Sequence, residues 1–156
     1  MNIWKWLRPS PIIREYPVFG RVRFSRRLSL WEGEQEIHFP PISDSILFSI
    51  ECGESGPTES HQQVFECLKR NYDGLTASIA GELYRRYSPT PEYEAEHMPY
   101  PRSASEMWSM VKLQSLTIGA DSVELLYAFR PEMKWDDAMF TVLVEDGKIT
   151  GSTFGD

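Results

Sequence analysis

Residues 58–87 read TESHQQVFECLKRNYDGLTASIAGELYRRY, the one long stretch of the chain with a strong helical period. From Phe65, apolar or aromatic side chains recur at Leu68, Tyr72, Leu75, Ile79, Leu83 and Tyr87, every step being three or four residues. That spacing lines one face of an α-helix. Glu66, Lys69, Arg70, Ser78, Glu82, Arg85 and Arg86 fall between them and belong to a wetted face. At the start, the Thr58 hydroxyl is placed to accept from an orphan amide and Glu59 sits at the positive end of the macrodipole. Ser88-Pro89 ends the run, because proline cannot continue the ladder and disfavours helical geometry at the residue before it. Unbroken, the helix would be about 45 Å long at ~1.5 Å per residue, close to the ~40 Å width of a domain this size. Asn71-Tyr72-Asp73-Gly74 offers a break: Asp73 can cap a second helix, and Gly74 costs about 1 kcal/mol inside a continuous one. The expectation is two consecutive helices.

The segments on either side read as strands and turns. Residues 1–16 form an N-terminal arm, in which Trp4, Trp6 and Leu7 with Lys5 and Arg8 are read as packing onto the domain. PVFGRVRF, residues 17–24, alternates with Arg21 and Arg23 turned outward, the period of a half-exposed strand. Leu28 to Trp31, Gln35 to Phe39 and Ile46 to Ile50 continue an antiparallel meander up to the loop Gly53-Glu54-Ser55-Gly56-Pro57. After the helical centre, prolines 89, 91, 99 and 101 forbid a regular element over residues 88–102. Ser103 and Glu106 make a capping box ahead of a short helix. Leu113–Ile118, Ser122–Arg130, Phe140–Val144 and Ile149–Phe154 form a second meander, with Asp146-Gly147 the strongest hairpin signal in the chain. Strands grouped on both sides of a run of helices predict an α+β fold. The expected body, residues 17–156 of a single domain 1–156, is an antiparallel sheet with two or three helices on one face. Its edges are expected to be blunted by Arg21, Arg23, Glu36 and Lys148.

The chain's 156 residues, 41% of them hydrophobic, suit one globular domain. A formal charge of −7 argues against binding nucleic-acid phosphates and suits a basic partner. Cys52 and Cys67 lack ligand spacing and are read as reduced, buried thiols. The N-terminal residues lack a long apolar run and a cleavage site, and no window approaches 18 apolar residues, so neither a secretory signal nor a membrane span is expected.

No catalytic constellation emerges. His38, His61 and His97 lie far apart in sequence without metal-ligand pairing, and are read as isolated surface or boundary residues. Glu92, Glu94 and Glu96 beside His97 are oxygen donors without a calcium-loop pattern, and read as a solvated acidic face. Cys52 lacks the electropositive setting of a nucleophile, given Glu51 and Glu54. The loop at Gly53–Gly56 lacks the lysine of a phosphate cradle. Trp135-Asp136-Asp137 is the most specific polar group: a recognition surface, since Trp is favoured at hot spots, or a Trp folded over the sheet end with an Asx-turn.

The segments GESGPTESHQQVFECL, LYRRY and WDDAMFTVLVEDGKITGSTFGD resemble an uncharacterised bacterial domain family related to the immunity proteins of polymorphic toxin systems. The resemblance covers roughly residues 46 to 156 and implies the fold and a bacterial cytoplasmic setting. After Trp135-Asp136 the family often carries an acidic residue, a histidine and a glycine. Here Asp137-Ala138-Met139 follows, so a role of that histidine does not carry over. The expected function is a non-enzymatic protein-binding module that neutralises a toxin or effector, without metal or cofactor. Its expected contact residues are Trp135, Asp136, Asp137, Glu92, Glu94 and Glu96. The alternative is a small enzyme or ligand-binding domain, with a pocket between helices and sheet lined by Trp31, Trp108, Tyr127 and Trp135. A third reading is a structural subunit that oligomerises through a sheet edge or the arm.

Overall fold

The computed structural model describes residues 10–33, 37–39, 42–87, 100–133 and 138–155, with backbone alone for 37–39 and 42–45. The strands are β1 (Ile13–Tyr16), β2 (Gly20–Ser25), β3 (Leu30–Gly33), β4 (Ile37–Phe39) and β5 (Ile42–Ile50), then β6 (Val111–Ile118), β7 (Ser122–Phe129), β8 (Met139–Glu145) and β9 (Lys148–Gly155). Between the two groups lie α1 (Glu59–Tyr87) and α2 (Ala104–Met110). The fold is α+β. The sheet runs β1-β2-β3-β5-β6-β7-β8-β9, with β4 pairing β5 off this path. Every neighbouring pair is antiparallel except β5 and β6, where Leu47 to Ile50 run parallel to Ser115 to Ile118. Parallel neighbours need a long crossover, and the chain supplies one that holds both helices.

α1 is a single helix of 29 residues, about 43 Å long at ~1.5 Å per residue, and the expected break at Asp73-Gly74 does not occur. Tyr72 and Leu75, on either side of that dipeptide, are both buried in the helix's apolar stripe. Burying each is worth about 1.5–3 kcal/mol, which exceeds the ~1 kcal/mol that glycine costs within a helix. The Thr76 hydroxyl donates to the Asp73 carbonyl at 2.8 Å, so the candidate cap residue is held inside the ladder. All the periodic positions from Phe65 to Tyr87 are buried.

The other face of that contact comes from alternate residues of the central strands. Phe48 and Ile50, Leu116 and Ile118, Val123, Leu125 and Tyr127, and Phe140, Val142 and Val144 are all buried. At the far end Trp31 is enclosed, its Nε1 donating to the Gly53 carbonyl at 3.0 Å. The Arg14 guanidinium stacks 5.3 Å over the Trp31 ring and donates to the Ser55 carbonyl. The loop at Gly53–Gly56, which lacks the lysine of a phosphate cradle, therefore turns carbonyl oxygens toward the sheet. Arg14 belongs to a strand, so the residues read as the end of the arm instead make the sheet's first edge: β1 and β2 are a hairpin through Pro17–Phe19.

Two local predictions are met closely. Asp146 and Gly147 have φ of 46° and 71°, the paired positive values of a two-residue hairpin turn. Ser103 caps α2 by accepting from the Glu106 amide at 3.2 Å. Glu106 returns its carboxylate to the Arg102 amide at 2.7 Å, one residue beyond the cap itself. Of the residues expected to blunt sheet edges, Arg21 and Arg23 sit on β2, inside the sheet, and Glu36 lies outside the described residues. Only Lys148 lies on an edge strand.

Candidate interaction surfaces

The first turn of α1 is organised by His61, which is only 4% exposed and is the one buried polar residue among those described. Its Nδ1 accepts from the Thr58 amide at 3.2 Å and lies 2.8 Å from the Thr58 hydroxyl. Because an acceptor nitrogen carries no proton, Nε2 is the protonated one, and it donates to the Glu51 carbonyl at 3.3 Å. His61 thus takes the place of the glutamate in a capping box and ties the helix start to the end of β5. The boundary position read from sequence becomes an interior one, and Thr58 engages an imidazole rather than an amide.

Next to this turn opens a cleft of about 540 Å³, lined by α1 on one side and by the β6–β7 and β8–β9 turns on the other. Gln63 and Cys67 come from the helix, Ala120 and Asp121 from the first turn, and Glu145 and Asp146 from the second. The Cys67 sulfur accepts from Asn71 Nδ2 at 3.3 Å, and the Asn71 amide in turn lies against Gly147. Asp121, Glu145 and Asp146 form no ion pair among the described residues. The cleft therefore offers carboxylates that no described ion pair engages, Glu145 lying opposite Lys148 in the β8–β9 register, to a basic group. Sequence reading missed it because its lining comes from three distant segments, and Asp146 carried a turn signal that masked any other role.

The face of the sheet turned away from α1 is uncovered by any helix among the described residues. One row runs across it through Arg23, Glu32, Ser49, Thr117, Glu124 and Leu143. Arg23 and Glu32 pair at 3.8 Å, and the Ser49 and Thr117 hydroxyls at 3.1 Å. Leu47, on the same face, is 60% exposed.

The expected contact residues Trp135, Asp136 and Asp137, with Glu92, Glu94 and Glu96, lie outside the described residues, as do His97 and the side chain of His38. Trp4 and Trp6 of the arm do so too. Trp31 and Tyr127 are buried in the core, whereas Trp108, 5.8 Å from the Tyr127 ring, lines a cavity of about 270 Å³ between α1 and α2. Cys52 and Cys67 are free thiols, each half-buried rather than buried. Burial raises the Cys52 thiol above its ordinary value, so desolvation keeps it protonated. Among the described residues no group of three His, Cys, Asp or Glu side chains could hold a metal ion, and no helix is long and apolar enough to cross a membrane. Comparison with protein-family models, curated proteins and solved structures finds no match for the chain.

Proposed function

We propose that the protein is a non-enzymatic binding module of the immunity type, which neutralises a basic toxin or effector in the bacterial cytoplasm by covering it. The observation that carries this reading is the cleft beside α1, where Asp121, Glu145 and Asp146 form no ion pair among the described residues. The formal charge of −7 acts in the same direction: complementary charge speeds encounter and fixes register on a basic target. The family resemblance over residues 46 to 156 supports the class of partner. A rigid rim suits the role, because Asp121 and Asp146 sit on tight turns at strand ends and Cys67 on a long helix.

The test is affinity capture from the native host at low salt, comparing the wild type with the variant Asp121→Asn, Glu145→Gln, Asp146→Asn. Asparagine tolerates positive φ, so the turn at residue 146 is preserved. A partner held by the wild type, released as salt rises and lost by the variant is the expected outcome. Recovery of free protein alone, or equal capture by the variant, would remove the reading.

A further inference from the structure

β9 ends the sheet, and its outer edge pairs with no other strand among the described residues. Such an edge presents a row of free N–H and C=O groups to any extended chain, and proteins usually blunt it with charge, proline or shortness. β1, at the opposite edge, is blunted in this way, having four residues that include Arg14 and Glu15. β9 has eight. Beyond Lys148 and a bulge in its pairing with β8, it reads Gly151-Ser152-Thr153-Phe154-Gly155, free of charge and proline.

We propose that β9 is a self-pairing edge: two copies of the chain join antiparallel about a two-fold axis through Thr153, giving one continuous sheet. Symmetry restricts the register. A two-fold axis perpendicular to the sheet keeps both α1 helices on the same side, so residues that face α1 must lie opposite residues that also face α1. Ser152 faces it, bonding to Arg86 and Glu82. Phe154 faces it too, stacked 4.6 Å from Phe140. Centring on Thr153 sets Ser152 against the partner copy's Phe154 and Gly151 against its Gly155, with Thr153 against Thr153. Centring on Ser152 would instead draw the bulge into the new ladder. Thr–Thr pairs are favourable across strands, and the Phe154 ring, 36% exposed, gains cover.

The helix side of the seam fits the same symmetry. Ser152 lies one residue from the axis, so the Glu82, Arg85 and Arg86 cluster of each copy comes near the other, each bringing both signs of charge. Away from the seam, two copies of formal charge −7 repel. Salt therefore strengthens this association by screening, whereas it weakens capture of a basic partner in the cleft, so the two proposals fail separately.

Sedimentation velocity over a concentration series at low and moderate salt is the measurement. The expected mass rises from 18.1 kDa toward twice that value, and more readily with salt. Thr153→Lys, a charge on the edge itself, is expected to leave a monomer. Thr141→Lys, on the same face one strand inboard, is expected to leave the dimer. In a Cys52→Ser, Cys67→Ser background, Thr153→Cys is expected to give a disulfide-linked dimer on mild oxidation, since directly opposite Cβ atoms approach about 4.5 Å, the outer reach of a disulfide. A single-chain mass throughout with no cross-link, a dimer indifferent to Thr153→Lys, or an open-ended series of larger species would each overturn the proposal.

Discussion

The hydroxyls of Tyr72 on α1 and Tyr127 on β7 lie 2.8 Å apart in the core, joining helix to sheet through a buried polar contact. Tyr72→Phe deprives the Tyr127 hydroxyl of this partner, and stranding a buried polar group costs about 1–3 kcal/mol. Replacing both tyrosines with phenylalanine removes the stranded group, so the double variant is expected to be more stable than the two single losses sum to. A double-mutant cycle from urea unfolding measures the difference.

The same pair sets an alkaline limit. Burial pushes the Tyr72 hydroxyl up to about 12 and the Tyr127 hydroxyl well above its ordinary value of 10.0. The fold thus holds both protons more tightly than the unfolded chain does. The stabilisation is complete below pH 10 and is lost as pH rises from 10 through about 12. Denaturant midpoints should be level below pH 10 and fall above it, and fall less in the double phenylalanine variant.

Glu82 fixes the outer end of α1 to β9. Its carboxylate accepts from Arg85 and from the Ser152 hydroxyl, and these bonds, the Arg85 one first, lower its pKa from 4.5 to about 2. The charged form is the one the fold favours. Its contribution is present above pH 4.5 and lost as pH falls toward about 2. Solvent screening keeps that contribution below about 1 kcal/mol. Carboxyl titration by NMR should show Glu82 moving up toward the ordinary value in Ser152→Ala.

Two glycines test the packing with opposite signs. Nothing lies within 4 Å of a Cβ added at Gly74, so Gly74→Ala is expected to stabilise a continuous α1 by about 0.5–1 kcal/mol. A break there would make the same change neutral or harmful. A Cβ at Gly33 would come within 2.2 Å of the Phe48 ring, and Gly33→Ala is expected to cost about 1–3 kcal/mol through overpacking. Thermal unfolding of both variants reads the two signs directly.

Signals carried by local spacing are legible in the amino-acid sequence. The apolar stripe from Phe65 to Tyr87, the Ser103 cap and the Asp146-Gly147 turn each need only neighbours along the chain, and each is where the residues place it. Choices made between distant segments are not legible in this way. Nothing near Leu47 names Ser115 as its parallel neighbour, and the pairing of Ile13 with Arg23 depends on a turn at Pro17–Phe19 that an alternating pattern hides. The break expected at Gly74 failed because local propensity is smaller than the packing energy of Tyr72 and Leu75. The acidic cleft is hidden for the same reason as the parallel pair: Cys67, Asp121 and Glu145 become neighbours only once the sheet is assembled.

The most direct measurement is the affinity of the captured partner for the wild type and for the Asp121→Asn, Glu145→Gln, Asp146→Asn variant across a salt series. The variant is expected to bind at least about tenfold more weakly at low salt and to show a flatter salt dependence. Equal affinities with parallel salt dependence would place the contact elsewhere and contradict the cleft's role.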